Sequence, residues 1–170
     1  MHYQRVMATS DLCPASAPFF GFMGVAAAIG LSCLGAAYGT AKSGVGIVTL
    51  GVQKPGAVIK HILPVLMAGM LGIYGLITSF FIMLNMGSAS NYPIWDGFAH
   101  LAAGLSVGVA SLASGIAIGI TGDAVTRAIA REPKLFIGMI LLLVFGEVLG
   151  LYGMIVSVIM VATLKSGISC

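Results

Sequence analysis

Long stretches without charge dominate the chain, and each is long enough to form a membrane-spanning helix. Asp, Glu, Lys and Arg are absent from residues 17–41, 62–87 and 97–122, and residues 135–164 contain only Glu147. A helix rising about 1.5 Å per residue needs about 20 apolar residues to cross roughly 30 Å of hydrocarbon. We therefore predict an all-α membrane protein with four transmembrane helices. The predicted spans are residues 17–41, 61–86, 97–122 and 135–164.

A shift of 78 residues aligns the chain with itself without a gap. Pro55 then meets Pro133, and the segment 71–75 (LGIYG) meets 149–153 (LGLYG). A single register that runs through a loop, a proline and a tyrosine is hard to attribute to chance. Each repeat holds two spans, an even number, so both halves cross the membrane in the same direction. We predict an N-terminal segment, 1–16, followed by two tandem helical hairpins, 17–92 and 93–170.

The composition agrees with a membrane protein and argues against other classes. Only 8% of the residues are charged and 59% are hydrophobic, whereas a soluble domain has about 25% charged residues. The mean hydropathy is +1.08. A net charge of +3, scattered along the chain, gives no reason to expect a nucleic-acid partner. The three cysteines lack metal-binding spacing, so we expect no metal site, while a disulfide between Cys13 and Cys170 stays open.

Basic residues are concentrated on one side of the predicted membrane. Six of the eight Lys and Arg residues lie in or beside the loops 42–60 and 123–134, and the segment between residues 85 and 97 has none. Because cytosolic loops are enriched in Lys and Arg, we predict that these two loops face the cytosol. Both termini and the loop around Trp95 would then be luminal or exterior. Tyr92 and Trp95 suit the aromatic belt on that side.

Small residues recur on one face of the third predicted helix and at the equivalent positions of the first. Such stripes let helix backbones approach closely in lipid, where packing rather than hydrophobicity drives association. We predict that the first and third helices pack tightly and that copies of the chain form a narrow inner wall. The positions are Gly104, Gly108, Ser111, Gly115, Gly119 and Gly122, with Ala26, Gly30, Cys33, Ala37, Ala41 and Gly44 as their equivalents.

Glu147 is the one charged residue inside a predicted span, and the repeat places Gly69 opposite it. An ionised carboxylate at mid-membrane costs at least about 2.5–3.5 kcal/mol. The side chain should therefore be protonated against lipid and ionise only where water or a cation reaches it. The predicted spans contain no cation, so a partner charge would come from another polypeptide, while Tyr74 and Tyr152 could offer hydrogen bonds. We interpret Glu147 as a proton carrier, because the flanking turns lack the further oxygen ligands that sodium needs.

Several motifs together identify a family. The segments 17–21 (APFFG), 34–44 (LGAAYGTAKSG), 118–124 (IGITGDA) and, most specifically, 146–153 (GEVLGLYG) closely resemble the c-ring proteolipid family of V-type rotary ATPases. The resemblance covers about residues 11–170. It implies a proton-carrying rotor subunit in a membrane ring, which moves protons from cytosol to lumen as ATP hydrolysis turns the ring. Glu147 matches the proton-carrying, carbodiimide-reactive glutamate of that family.

The resemblance also implies partners and a location. The partners are other proteolipid copies in the ring, a stator subunit with an essential arginine, a central-stalk subunit on the cytosolic loops, and the lipid bilayer. The location is a vacuolar, lysosomal, endosomal or Golgi-type membrane. We expect no cofactor. The chain lacks a GxxxxGK[ST] loop and a nucleophile–base constellation, so it should not itself hydrolyse ATP.

Three other interpretations remain open. The chain could be a minor proteolipid isoform in the same ring. An oligomeric pore or a secondary transporter built from inverted repeats would need an odd number of spans per repeat, whereas this repeat has two. A purely structural scaffold would leave Glu147 without a role.

Overall fold

The computed structural model describes residues 13–87 and 92–164 as four long helices. Two short 3₁₀ segments, Pro55–His61 and Pro133–Leu135, connect the helices within each half. All four helices are long and apolar enough to cross a membrane. The predicted all-α fold of two tandem hairpins is confirmed. The helices are α1 (Ala17–Gln53), α2 (Leu63–Asn85), α3 (Ile94–Ile129) and α4 (Phe136–Thr163).

Residues 1–12, 88–91 and 165–170 lie outside the described part of the chain. They include most of the predicted N-terminal segment 1–16, part of the connection between the two hairpins, and the last residues of the second hairpin. Cys13 is disulfide-bonded and Cys33 is a free thiol on the exposed side of α1. Cys170 lies outside the described residues, so the question of its pairing with Cys13 stays open.

Prolines mark the ends of the helices, because proline has no amide hydrogen and fixes its own φ angle. Pro18 and Pro64 lie in the first turns of α1 and α2, where the missing N–H has no helical partner anyway. Pro55 and Pro133 begin the 3₁₀ segments that follow α1 and α3. Each half is therefore a long helix, a proline-initiated 3₁₀ segment and a shorter helix.

Helices α1 and α3 extend beyond the predicted spans. The prediction ended them at residues 41 and 122, just before Lys42 and Asp123, whereas α1 continues to Gln53 and α3 to Ile129. A charged side chain does not interrupt the backbone hydrogen bonds of a helix that has left the lipid. Much of the predicted loop 42–60 is therefore helical, and the helix ends just before a proline.

The backbones of α1 and α3 nearly touch. A Cβ atom added to Gly104 would overlap the backbone of Gly24, and one added to Gly115 would overlap the backbone of Gly35. Any larger residue at these positions would force the helices apart, so the predicted close packing of the first and third helices rests on glycine.

The remaining predicted packing glycines face different surroundings. A Cβ on Gly108 would meet Leu31, and one on Gly119 would meet Gly39, both in α1. Around Gly30, by contrast, no atom of the described residues lies within 4 Å of an added Cβ. The predicted stripe on α1 therefore points away from α3 within one chain, and α1 meets α3 through a neighbouring face that includes Gly24, Gly35 and Gly39.

The two hairpins have the same internal contact. Gly75 of α2 abuts Ser32 of α1, and Gly153 of α4 abuts Ala110 of α3. Both pairs of equivalents are 78 residues apart. The sequence repeat is thus a repeat in three dimensions. The outer surfaces of α2 and α4 carry large exposed apolar side chains, including those of Phe80, Leu84, Phe145 and Ile159, as expected for helices that face lipid.

Polar contacts join the ends of α1 and α3 where the positive residues are concentrated. Asp123 of α3 pairs with Lys42 of α1 at 3.5 Å and, within α3 itself, with Arg127 at 2.8 Å. The Lys54 ammonium donates to the backbone oxygen of Ala130 at 2.8 Å. Exposed ion pairs contribute about 0–1 kcal/mol each, so these contacts connect helix ends that the glycine packing already brings together.

At the opposite end, Tyr92 and His100 form a buried pair. They are 2% and 1% exposed, and the Tyr92 hydroxyl is hydrogen-bonded to Nδ1 of His100. Burial, together with the nearby Asp96 carboxylate, raises the pKa of Tyr92 to about 12. The phenol therefore stays protonated. Tyr92 is thus inside the protein rather than in the expected aromatic belt, whereas Trp95 is 68% exposed.

Candidate functional site

Glu147 lies near the middle of α4 and its side chain is turned inward. Its residue exposure is 7%. The hydroxyl of Tyr74 in α2 donates to Oε1 of Glu147 at 2.8 Å. The other oxygen, Oε2, is buried and has no hydrogen-bond partner among the described residues. An ionised carboxylate with one oxygen unsatisfied would be costly here. Burial removes the water that would bind this oxygen, and no donor among the described residues takes its place.

The surroundings of Glu147 are otherwise mostly apolar. Its neighbour Gly146 faces Ile118 of α3, and Gly150, about one turn further along, faces Leu71 of α2. Both Ile118 and Leu71 are fully buried. An apolar environment strengthens the hydrogen bond from Tyr74 and increases the cost of a charge on Glu147.

Ser114 of α3 supports the turn that carries Glu147. Its buried hydroxyl donates to the backbone oxygen of Gly146 at 2.6 Å. Sequence reasoning missed this residue, although the repeat carries a signal for it. The equivalent of Ser114 in the first hairpin is Ala36, just as the equivalent of Glu147 is Gly69. The polar groups that distinguish the second hairpin thus occur together.

The structure separates the two tyrosines that were predicted to support Glu147. Tyr74 contacts the carboxylate, whereas Tyr152 lies on α4 itself and is 57% exposed. The two are repeat equivalents, so the sequence alone did not distinguish them. Within one chain α2 lies beside α4, which brings Tyr74 to Glu147.

The site contains the groups for one kind of chemistry. In residues 13–87 and 92–164, the ion pairs involve Asp123 and not Glu147. The same residues contain no cluster of three His, Cys, Asp or Glu side chains that could hold a metal ion. A carboxyl group with one hydroxyl donor can bind and release a proton.

Comparison with known proteins places both hairpins in one family. The family model for the C subunit of ATP synthase matches residues 23–82 and again residues 101–160. The two matches are 78 residues apart, in the register of the internal repeat. The V-type proton ATPase 16 kDa proteolipid subunit of Chrysotila carterae is 59% identical over 155 residues, which cover 89% of this chain and 94% of that protein.

Proposed function

We propose a function for this chain, which belongs to the family of the ATP synthase C subunit and is a V-type ATPase proteolipid subunit. As one copy in a rotating membrane ring, it carries protons from the cytosol to the lumen. The observation that supports the proposal best is the environment of Glu147. The carboxyl group is buried in mid-helix, receives a hydrogen bond from Tyr74 and leaves its other oxygen without a partner among the described residues.

The protonated form of Glu147 suits passage through lipid. A protonated carboxyl group has one donor and keeps acceptor capacity, so Tyr74 donates to Oε1 while Oε2 carries the proton. This form has no net charge, and it avoids the cost of an ionised group at mid-membrane. In the proposed mechanism each copy therefore moves past lipid with Glu147 neutral.

Release of the proton requires water and an opposite charge. We assign the charge to an arginine of the stator subunit, which would favour the carboxylate form where a half-channel opens to the lumen. A second half-channel, open to the cytosol, would return a proton to Glu147. A hydrogen bond from Tyr74 can persist in both states, because its hydroxyl donates to a carboxyl or a carboxylate oxygen equally well in geometry.

Rotation would come from other subunits. ATP hydrolysis in the cytosolic sector would turn the ring through a central-stalk subunit resting on the cytosolic loops 42–60 and 123–134. The termini would be luminal. A vacuolar, lysosomal, endosomal or Golgi-type membrane is the proposed location, because these compartments are acidified from the cytosol.

The decisive experiment is Glu147→Gln, which keeps the shape of the side chain and removes the carboxyl group that can gain and lose a proton. We expect ATP-driven acidification of vesicles to fall to background while the ring still assembles. Dicyclohexylcarbodiimide should modify Glu147 of the unsubstituted chain and stop pumping. Glu132→Gln is the matched control, since it makes the same change at an exposed glutamate, and it should leave the modification of Glu147 by dicyclohexylcarbodiimide unchanged. Full pumping by Glu147→Gln would rule out the proposed role.

A further inference from the structure

The hydroxyl group of Ser114 connects α3 to α4 at the depth of Glu147. It donates to the backbone oxygen of Gly146 at 2.6 Å, and the side chain is buried. In an α-helix the same oxygen also accepts the backbone N–H group four residues on, which is that of Gly150. A carbonyl oxygen has two lone pairs, so it can hold both bonds. The bond from Ser114 is therefore additional to the hydrogen bonds of α4 and does not replace one of them.

Helical threonines elsewhere in the chain use their hydroxyl groups differently. Thr78, Thr121 and Thr126 each donate to the backbone of their own helix, four residues back. This local bond is common for hydroxyl side chains inside helices. Ser114 donates instead to a neighbouring helix. Its hydroxyl group therefore fixes the position of α4 relative to α3.

The helix packing at this point does not need the hydroxyl group. A Cβ on Gly150 would lie 3.4 Å from Cβ of Ser114. In the first hairpin, a Cβ on Gly72 would lie 3.6 Å from Cβ of Ala36. The second pair lies 78 residues before the first, so alanine makes the equivalent contact there. What distinguishes Ser114 from an alanine in this contact is its bond to α4.

Hydrogen bonds to two different helices hold the same turn of α4. The backbone of this turn is bonded to Ser114 of α3, and the side chain of Glu147 is bonded to Tyr74 of α2 at 2.8 Å. A helix with its side chains is about 10–12 Å wide, so a rotation of roughly 20° about its axis moves a side chain at its surface by about 2 Å. A movement of this size would break the bond between Glu147 and Tyr74. A bond that resists rotation of α4 therefore also keeps the acid at the tyrosine.

We infer that Ser114 is a positioning residue, which keeps Glu147 in its inward, protonated state. The inference rests on the proposed function, because it concerns how the proton is retained between the two half-channels. Glu147 is 7% exposed, so its carboxyl group has to turn outward to meet water or a stator arginine. Outward rotation of α4 breaks the bond from Ser114. The hydroxyl group thus shifts the balance between the two positions toward the inward one.

The groups that face Glu147 couple its position to its protonation. The titratable group that α2 contributes is the Tyr74 hydroxyl, while α3 faces this turn with Ser114 and Ile118, which do not titrate. Among the described residues, Oε2 of Glu147 has no hydrogen-bond partner. The inward position therefore suits the protonated carboxyl group and disfavours the ionised one. A variant that weakens the inward position should bind the proton less tightly and be half protonated at a lower pH.

Modification of Glu147 by dicyclohexylcarbodiimide in a Ser114→Ala chain tests the assignment. The reagent is apolar and reacts with protonated carboxyl groups, so its rate reports how often protonated Glu147 faces lipid. The measurement uses membranes with the assembled complex and no ATP, over a series of pH values. Loss of one neutral hydrogen bond should raise the rate at low pH about two- to tenfold. The pH of half-maximal rate should fall by up to about one unit, because one unit is a tenfold change in proton affinity.

Ser111→Ala is the matched control. Ser111 lies about one turn before Ser114 on α3 and is fully buried, and its hydroxyl group has no hydrogen-bond partner among the described residues. The control removes the same atom without removing a bond to α4, so the rate and the pH midpoint should stay those of the unsubstituted chain. An unchanged rate and midpoint in Ser114→Ala, or equal changes in both variants, would overturn the assignment of Ser114.

The two proposals fail in different ways. Modification without ATP reports the position of Glu147 whether or not the ring pumps. A faster rate in Ser114→Ala together with normal pumping by Glu147→Gln would keep the positioning role and reject the proton role. An unchanged rate in Ser114→Ala together with loss of pumping by Glu147→Gln would reject the positioning role and keep the proton role.

Discussion

Among individual residues, Ser114 and Tyr74 divide the hydrogen bonding around Glu147. A serine hydroxyl has one hydrogen, and that of Ser114 is used by the backbone oxygen of Gly146 at 2.6 Å. Ser114 therefore cannot also donate to the carboxylate. Tyr74 remains as the donor to Oε1. The serine holds the turn in place, and the tyrosine holds the acid.

Tyr74→Phe should weaken pumping without abolishing it. The substitution removes one hydrogen bond between neutral groups, worth about 0.5–1.5 kcal/mol, and about 1.4 kcal/mol corresponds to a tenfold change in rate. We expect ATP-driven acidification to fall several-fold, up to about tenfold, with normal ring assembly.

Tyr152→Phe is the control for this prediction. It makes the same change at the repeat equivalent, a residue that is 57% exposed in the single chain, and it should pump at the normal rate. Equal losses in the two variants would contradict a direct role of Tyr74. Comparing the initial rate of acidification in vesicles that contain equal amounts of ring distinguishes these outcomes.

Among the helices, apolar length predicted the spans but not the ends. Lipid requires an uninterrupted apolar stretch, so the sequence carries a strong signal for each span. The end of a helix outside the lipid depends on the first residue that cannot continue it, and for α1 the helix stops at Gln53, just before Pro55. The charge at Lys42 predicts where the lipid-embedded part of the helix ends, which is a different boundary.

The choice of packing face could not be predicted from the repeat. The small residues of α1 lie on two faces, one with Gly24 and Gly35 and one with Gly30 and Ala37. Repeat equivalence identified the second face, because it matches the glycine stripe of α3. Within one chain α3 packs on the face with Gly24 and Gly35, so repeat equivalence alone did not identify the contact.

Gly115→Ala should destabilise the fold, because the new methyl group would overlap the backbone of Gly35. Overpacking of this kind costs about 1–3 kcal/mol, and 1 kcal/mol shifts the midpoint of a chain this size by about 2–4 °C. We expect the thermal midpoint, measured by circular dichroism in detergent, to fall by about 3–10 °C.

Gly138→Ala is the matched control at the element scale. A Cβ on Gly138, in the first turn of α4, would meet no atom within 4 Å in the part of the chain that the structure describes, and alanine is the better helix former. Its midpoint should be unchanged or slightly higher. Identical midpoints for Gly115→Ala and Gly138→Ala would show that α1 and α3 can separate without cost.

For the whole molecule, the packing of the two hairpins brings Tyr74 to Glu147 and leaves Tyr152 exposed on α4. Four spans, two hairpins and one mid-membrane acid were all predicted from the sequence. The pairing of Glu147 with Tyr74 was not, because the repeat offers two equivalent tyrosines and only the order of the hairpins in space separates them.

The orientation of the chain can be tested by labelling from one side of the membrane. In a Cys33→Ala chain, Ile59→Cys lies in the loop predicted to be cytosolic and Trp95→Cys at the opposite end, and the two native side chains are 84% and 68% exposed. Neither substitution changes the distribution of basic residues. A membrane-impermeant maleimide added to sealed vesicles with the cytosolic face outward should label Ile59→Cys directly and Trp95→Cys only after lysis. The reverse pattern would invert the proposed direction of transport.

The contact between α1 and α3 has a mechanical consequence. Backbone meets backbone at Gly24 and Gly104, and the helices stay in contact as far as Gly46 and Asp123. The segment of α1 from residue 24 to residue 46 covers about 33 Å at about 1.5 Å per residue. Long side chains between two helices would make the contact compliant, because they can change rotamer under load. A twist applied at one end of the α1–α3 pair would therefore reach the depth of Glu147 with little elastic loss, so that the pair transmits torque as a rigid unit.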